Sequence, residues 1–213
     1  FPKWILEFKT KSALVEQFLD LPHAGNIVVS WSINPPYVID REEHGTARFH
    51  ERITAASVSR DRGFKIAFHI DPMIWHPEWK ENYSFLAEEL NRNFKPEDVH
   101  VISLGTLRFQ PEQRHMMRER FGLNSMVTSA EMFPSEGQKL RYDAAIRAEM
   151  FQFMIQKMKS LNPKWNIFLC METPETWIQS FEKIPMQIPE LRSLFKPLTN
   201  IREFQSGNGS TNL

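Results

Sequence analysis

Val28-Val29-Ser30-Trp31-Ser32-Ile33-Asn34-Pro35-Pro36-Tyr37-Val38-Ile39-Asp40, continued by Glu42-Glu43-His44-Gly45-Thr46, decides how this chain folds. It opens as a β-run of apolar, β-branched and aromatic residues, with no Gly or Pro before Pro35. Successive strand side chains alternate between faces, so Val28, Ser30 and Ser32 share one side and Val29, Trp31 and Ile33 the other. Helices that cover one face call for the bulky set, which turns the two serine hydroxyls toward a different environment. Pro35 and Pro36 end the strand, because neither donates to a ladder. A polar loop is expected next, and Gly45-Thr46 leads into a helix with Thr46 as N-cap. Strand, long polar loop, then helix is the unit in which α/β proteins place their chemistry.

Working outward, the sequence predicts strands over residues 4–9, 27–33, 64–70, 100–104 and 165–170, each followed by helical sequence. A helix over 78–93 carries Trp79, Tyr83, Leu86 and Leu90 on one stripe. Another over 140–161 carries Ile146, Met150, Phe151, Met154, Ile155 and Met158; weaker ones cover 12–19, 46–60 and 111–121. Such alternation implies right-handed βαβ crossovers and a mainly parallel sheet with outer helices. Five units are too few for an eight-stranded barrel, so the expected fold is α/β, a partial (β/α) barrel of the TIM type whose first strands are missing from this chain. Residues 1–180 are assigned to that barrel. Residues 181–213 are assigned to a Pro-interrupted segment and a Gly/Ser/Asn tail expected to be mobile.

Composition narrows the function classes. The chain has 213 residues, and 26 basic residues balance 26 acidic ones, so no broad nucleic-acid footprint is written in the net charge. The one cysteine, Cys170, rules out an intrachain disulfide and a cysteine-only metal site. No long apolar run and no signal peptide are visible, which makes a cytoplasmic location the expectation. The first residue is Phe1, and the chain looks like a piece of something longer.

The strand faces point to a site. One parity is bulky, as in Ile66, Phe68 and Ile70, whereas the other gathers Glu7 and Lys9, Ser30 and Ser32, His69 and Asp71, Ser103 and Gly105, and Cys170. A closed barrel core prefers Val, Ile and Leu inside, so a polar inner face implies a lumen that holds a ligand. His69, Asp71 and His76 would start the divalent-metal site of a barrel hydrolase; a hydrogen-bonded lumen pair is the plainer reading of the first two. Lys9 either meets something anionic or extends its amine to solvent. Cys170 reads as a small buried hydrophobe, and Met150, Met154 and Met158 as core filling. Arg108, Arg114, Arg118 and Arg120, with Lys139, Arg141 and Arg147, form the one basic concentration, readable as a solvated face or as phosphate contacts.

Taken together, Trp31-Ser32-Ile33-Asn34, Glu43-His44-Gly45-Thr46, Arg52-Ile53 with Ala55-Ala56, Gly63, and Phe68 before Asp71-Pro72 resemble the spore photoproduct lyase family. Trp79, Tyr83, Leu104 with Arg108-Phe109, and Arg141-Tyr142 extend the resemblance, which runs over roughly residues 5 to 145. It implies a radical S-adenosylmethionine enzyme that splits UV-induced thymine dimers in DNA through a 5′-deoxyadenosyl radical. It also implies a [4Fe–4S] cluster and a reductant protein such as a flavodoxin or ferredoxin. By position, Lys9 and Ser32 look like the groups that hold the methionyl part of the cofactor, with Ser30 and Asp71 beside them. Arg141 and Tyr142 look like a pair that pushes into DNA at the lesion, with Arg108 as a further substrate contact. On this resemblance the two residues should project from the barrel mouth, the ring stacking and the guanidinium meeting phosphate.

The departures are specific. The three cluster cysteines and the hydrogen-returning cysteine of the family are absent; both would lie upstream of Phe1, and Cys170 matches neither. His69 and Asp71 stand where the best-known members carry apolar residues. The expectation is therefore a divergent relative, with this chain alone inactive. A metal-dependent barrel hydrolase and a catalytically silent binding domain are the alternatives.

Overall fold

All five strands expected from the alternation form, and all pair parallel. The computed structural model describes residues 4–23, 25–183 and 187–188. In chain order the elements are β1 (Leu6–Thr10), α1 (Glu16–Leu19), β2 (Ile27–Ser32), α2 (Pro36–Glu42), α3 (Phe49–Asp61), β3 (Lys65–Met73), α4 (Trp79–Asn93) and β4 (Val99–Thr106). They continue with β5 (Arg108–Phe109), α5 (Pro111–Phe121), α6 (Met126–Ser129), β6 (Phe133–Pro134), β7 (Leu140–Arg141), α7 (Ala144–Leu161), β8 (Ile167–Leu169) and α8 (Pro174–Phe181). The main sheet runs β1-β2-β3-β4-β8, an open α/β sheet with the topology of a partial barrel. A second sheet, β5-β7-β6, is antiparallel and sits after the C-terminal end of β4.

The parity argument explains the core. Val29, Trp31 and Ile33 from β2 and its extension join Ile66, Phe68 and Ile70 of β3, Ile53 and Ala56 of α3, and Leu86 and Leu90 of α4 in one buried cluster. Met150, Met154 and Met158 of α7 lie in the same core with no exposed surface. Flexible thioethers fill irregular gaps between a twisted sheet and a long helix.

Three local expectations are corrected. The stretch after Pro35 is not a loop: Pro36 takes the first position of α2, where its missing N–H costs nothing. Thr46 does not cap α3. That helix starts later, with Arg48 in the cap position, and Glu51 accepts its N–H at 2.6 Å. Residues 140–161 divide into β7 and α7, with Asp143 accepting from the Ala145 N–H as the true N-cap. The segment assigned to 181–213 begins within α8 and otherwise lies almost wholly outside the described residues.

Thr46 serves instead in a buried network that locks the loops at the strand C-termini. The Arg52 side chain, completely buried, donates to the carbonyls of Ala47 at 2.8 Å and Ser32 at 2.9 Å and to the Thr46 hydroxyl at 2.7 Å. It also pairs with Glu43 at 2.8 Å, which Lys11 meets from the other side at 2.8 Å. Asn34 donates to Glu43 and to the Pro72 carbonyl, both at 3.1 Å, and accepts from the Tyr83 hydroxyl at 2.9 Å. That hydroxyl in turn accepts from the Ile74 N–H at 2.7 Å. Buried networks with most members satisfied rigidify what they connect. Here they connect the ends of β2 and β3 to α3 and α4.

Candidate active site

The inward face of the sheet is polar at the C-terminal ends of the strands. Lys9 of β1 stands opposite Ser30 of β2, and Ser32 stands opposite His69 of β3. Lys9 is exposed and makes no ion pair among the described residues. Two residues further along β3, Asp71 accepts a two-pronged pair of hydrogen bonds from Arg108, at 2.9 and 3.0 Å. Planar guanidinium and carboxylate match in this geometry, which fixes both side chains.

The seat for that pair is built by a bulge and a glycine. Asp71 and Pro72 together oppose Gly105 of β4, because Ile70 pairs with Leu104 and Met73 with Thr106. A Cβ on Gly105 would lie 2.5 Å from the Asp71 Oδ1 and 2.9 Å from the Arg108 Nη1. Burial pushes the Asp71 carboxyl up, but the Arg108 hydrogen bonds and charge, helped by Cys170 and Lys9, outweigh it and hold the carboxyl below the usual range. The Cys170 thiol reaches this cluster 3.5 Å from the Arg108 Nη2. Burial and the Asp71 carboxylate push that thiol up, so it stays protonated.

Deeper along the same face lies a second polar group. The His69 Nε2 is 2.7 Å from the Glu7 Oε1. The Ser30 hydroxyl donates to the Phe8 carbonyl at 3.1 Å. The His69 hydrogen bond holds the Glu7 carboxyl below its ordinary value, against the effect of burial. His76 lies elsewhere, buried, with its ring nitrogens 3.0 Å from the Ile74 carbonyl and 3.1 Å from the Asn82 amide. His69, Asp71 and His76 thus each face a different partner, and the convergent metal triad of the hydrolase reading is corrected. Among the described residues no three His, Cys, Asp or Glu side chains are grouped to hold a metal ion.

The expectation that Arg141 and Tyr142 project from the mouth is also corrected. They are 6% and 4% exposed. Arg141 donates to the Met171 carbonyl at 3.0 Å and lies 3.3 Å from the Glu172 carboxylate, which Arg147 approaches to 3.5 Å. The Tyr142 hydroxyl accepts from the Trp75 N–H at 3.2 Å. The reason is one acidic residue, Glu172, which follows β8 and draws both arginines inward. Burial pushes its carboxyl up, against the pull of Arg147 and Arg141. Arg114 and Arg118 donate to the carbonyls of Ala130 and Thr128, each at 2.9 Å, and so pin α5 to α6. Arg114, Arg118, Arg141 and Arg147 of the basic concentration are therefore taken up by contacts within the chain.

Sequence reasoning passed over Glu172 and the surroundings of Cys170. A signal was available, since Glu172 follows the strand expected over 165–170 just as Asp71 follows the one expected over 64–70, and the ends of parallel strands are where barrels collect functional groups.

Residues 3–158 match the spore photoproduct lyase family. The chain is 30% identical over 118 residues to a spore photoproduct lyase of Geobacillus sp. (strain Y412MC61), covering 54% of this chain and 35% of that protein. It is 37% identical over 94 residues to the enzyme of Bacillus subtilis (strain 168), covering 44% of this chain and 27% of that one. Thus the matches take in about a third or less of those relatives' length. Among solved structures, a spore photoproduct lyase double mutant with bound AdoMet and dinucleoside spore photoproduct superposes with a TM-score of 0.67 at 25% identity, over 76% of this chain and 50% of that one. A single mutant with the dinucleoside gives 0.70 at 25% identity, over 78% and 52%. By the family match over most of its length, this chain belongs to the spore photoproduct lyase family.

Proposed function

We propose that this chain forms the C-terminal part of the barrel of a radical S-adenosylmethionine lyase that repairs the spore photoproduct, a UV-induced thymine dimer, in DNA. One observation carries the reading: Lys9 presents an exposed ammonium, without an ion pair among the described residues, on the inward face across from Ser30. A free cation beside the hydroxyl of Ser32 suits the carboxylate of an amino acid, while Ser30, which donates to the Phe8 carbonyl, holds β1 and β2 together behind it. Asp71, close enough to Lys9 to feel its charge, suits the ammonium of the same zwitterion. Lys9, Ser32 and Asp71, with Ser30 behind them, would therefore hold the methionyl part of S-adenosylmethionine, which when bound supplies a 5′-deoxyadenosyl radical. Arg108, fixed by Asp71, orients that carboxylate and would serve as a further contact for a flipped dinucleotide.

A [4Fe–4S] cluster does not fit the residues of this chain. One cysteine cannot replace three thiolates, and that cysteine is held protonated beside Asp71. The cluster and a flavodoxin- or ferredoxin-like reductant therefore belong to the proposal for the whole protein, and no step is derived through them. A cytoplasmic setting belongs to it as well; among the described residues no helix is long and apolar enough to cross a membrane.

The test is calorimetric titration of S-adenosylmethionine into the full-length protein, alongside anaerobic conversion of the dinucleoside spore photoproduct to thymidines. Lys9→Met should weaken cofactor binding about tenfold or more, the loss of one charge-assisted contact. Cofactor affinity untouched by Lys9→Met, or no conversion by the full-length protein, would overturn the reading.

A further inference from the structure

With Tyr142 buried, another aromatic is left open beside it. Trp75 is 44% exposed, two residues beyond the end of β3. Its backbone is held by the bond to the Tyr142 hydroxyl, so the indole sits on a fixed support. It borders a cavity of about 400 Å³ that Pro77, Met126, Ala130, Tyr142 and Ile146 also line. Such a volume, walled mostly by apolar groups with a few polar ones, is that of a site for a small planar ligand. The exposed indole is not needed by the core, which closes without it.

The neighbouring groups say what kind of ligand. His76 also lines the cavity, stacked on Tyr37 with centroids 5.1 Å apart, and the Arg41 guanidinium covers Tyr37 at 4.7 Å. Arg41 and His44 in turn line a second cavity of about 370 Å³ on the other side of α6. Glu42, between them, is taken up by the start of α6, accepting from the Ser125 hydroxyl at 2.5 Å and the Met126 N–H at 2.7 Å. An aromatic shelf followed by a cationic recess is the order that single-stranded nucleic acid requires: a base stacks and its phosphate lies alongside.

The geometry points to Trp75 as the stacking platform for an unpaired nucleobase, with Arg41 and His44 meeting the adjoining backbone. This rests on the reading of the whole protein as a DNA-repair lyase and adds a subsite to it. Stacking is tolerant of base identity, so the site holds the strand open without choosing a sequence.

The experiment uses the full-length protein and fluorescence anisotropy with two labelled single-stranded DNA oligonucleotides of equal length, one normal and one abasic throughout its centre. Wild type should prefer the normal strand by about tenfold, the worth of one stacked base. Trp75→Ala should abolish that preference, and Trp75→Phe should keep most of it. Both variants should melt where wild type does, because the indole is outside the core. A preference that survives Trp75→Ala in a protein that binds DNA overturns the subsite alone. Absence of any binding by wild type, to these strands or to lesion-bearing DNA, overturns the repair reading and the subsite with it.

Discussion

Gly105 has no room for a side chain, and the reason is local. The carboxylate it would strike is already bonded to both arms of Arg108, whose Nη1 would itself lie 2.9 Å from the new Cβ, so neither partner can retreat without breaking a hydrogen bond. Gly105→Ala should therefore cost about 1–3 kcal/mol, as overpacking does, and release Arg108 from its fixed position. A urea titration reads the first effect, and loss of cofactor affinity in the full-length protein reads the second. Asp71 offers a pH test at the same spot. Its carboxyl titrates lower folded than unfolded, so it contributes stability above the ordinary carboxylate range and loses it as pH falls through the folded value. Below about pH 4, wild type should lose stability more steeply than Asp71→Asn. At neutral pH the variant should be less stable by about 3 kcal/mol, since Arg108 is left without its counter-charge. Parallel curves for the two proteins from pH 7 to about pH 3 would count against this account.

Among elements, the strands were legible because their two faces differ chemically, and the register confirms what alternation implies: Ser30 and Ser32, Glu7, His69 and Asp71 share a face. The segments between strands were less legible. Pro35-Pro36 stops a strand and starts a helix with equal readiness, and only the packing of buried Val38 and Ile39 decides between them. Several residues of the family resemblance, Asn34, Glu43, Thr46, Arg52 and Tyr83, prove to form one buried network that clamps loops. Spacing alone could not separate that task from catalysis. Arg141 is the sharpest case, because its surroundings depend on Glu172, 31 residues away by the chain and two elements later. As β7 is only two residues long, the Arg141 contacts with the Met171 carbonyl and the Glu172 carboxylate tie it to the segment that follows β8. Arg141→Ala should then lower stability by about 3–5 kcal/mol, the cost of an unpaired buried charge, offset in part by Arg147. Thermal melting measures it. Unchanged melting combined with weakened DNA binding would return Arg141 to the role its position in the sequence implied.

On the scale of the molecule, the sheet presents a polar inner face with one thiol on it, and that limits what the chain does by itself. A [4Fe–4S] cluster of the type used with S-adenosylmethionine needs three thiolates at short spacing, and Cys170 is one residue. Its surroundings oppose ligation further. The thiol lies against the Asp71–Arg108 pair, and burial together with the neighbouring carboxylate keeps it protonated. Glu7 and His69 are engaged with one another, and no third ligand accompanies them among the described residues. Anaerobic reconstitution of the 213-residue chain with iron and sulfide should therefore give no stoichiometric cluster and no charge-transfer absorption. On the proposed function, the same treatment of the full-length protein should give one cluster, and Cys170→Ser there should leave iron content unchanged, because the ligands would come from outside this chain. Full iron and sulfide loading of the isolated chain, or loss of the cluster from the full-length protein on Cys170→Ser, would mean that Cys170 is a ligand after all. The polar inner face would then have to rearrange to free it from Arg108.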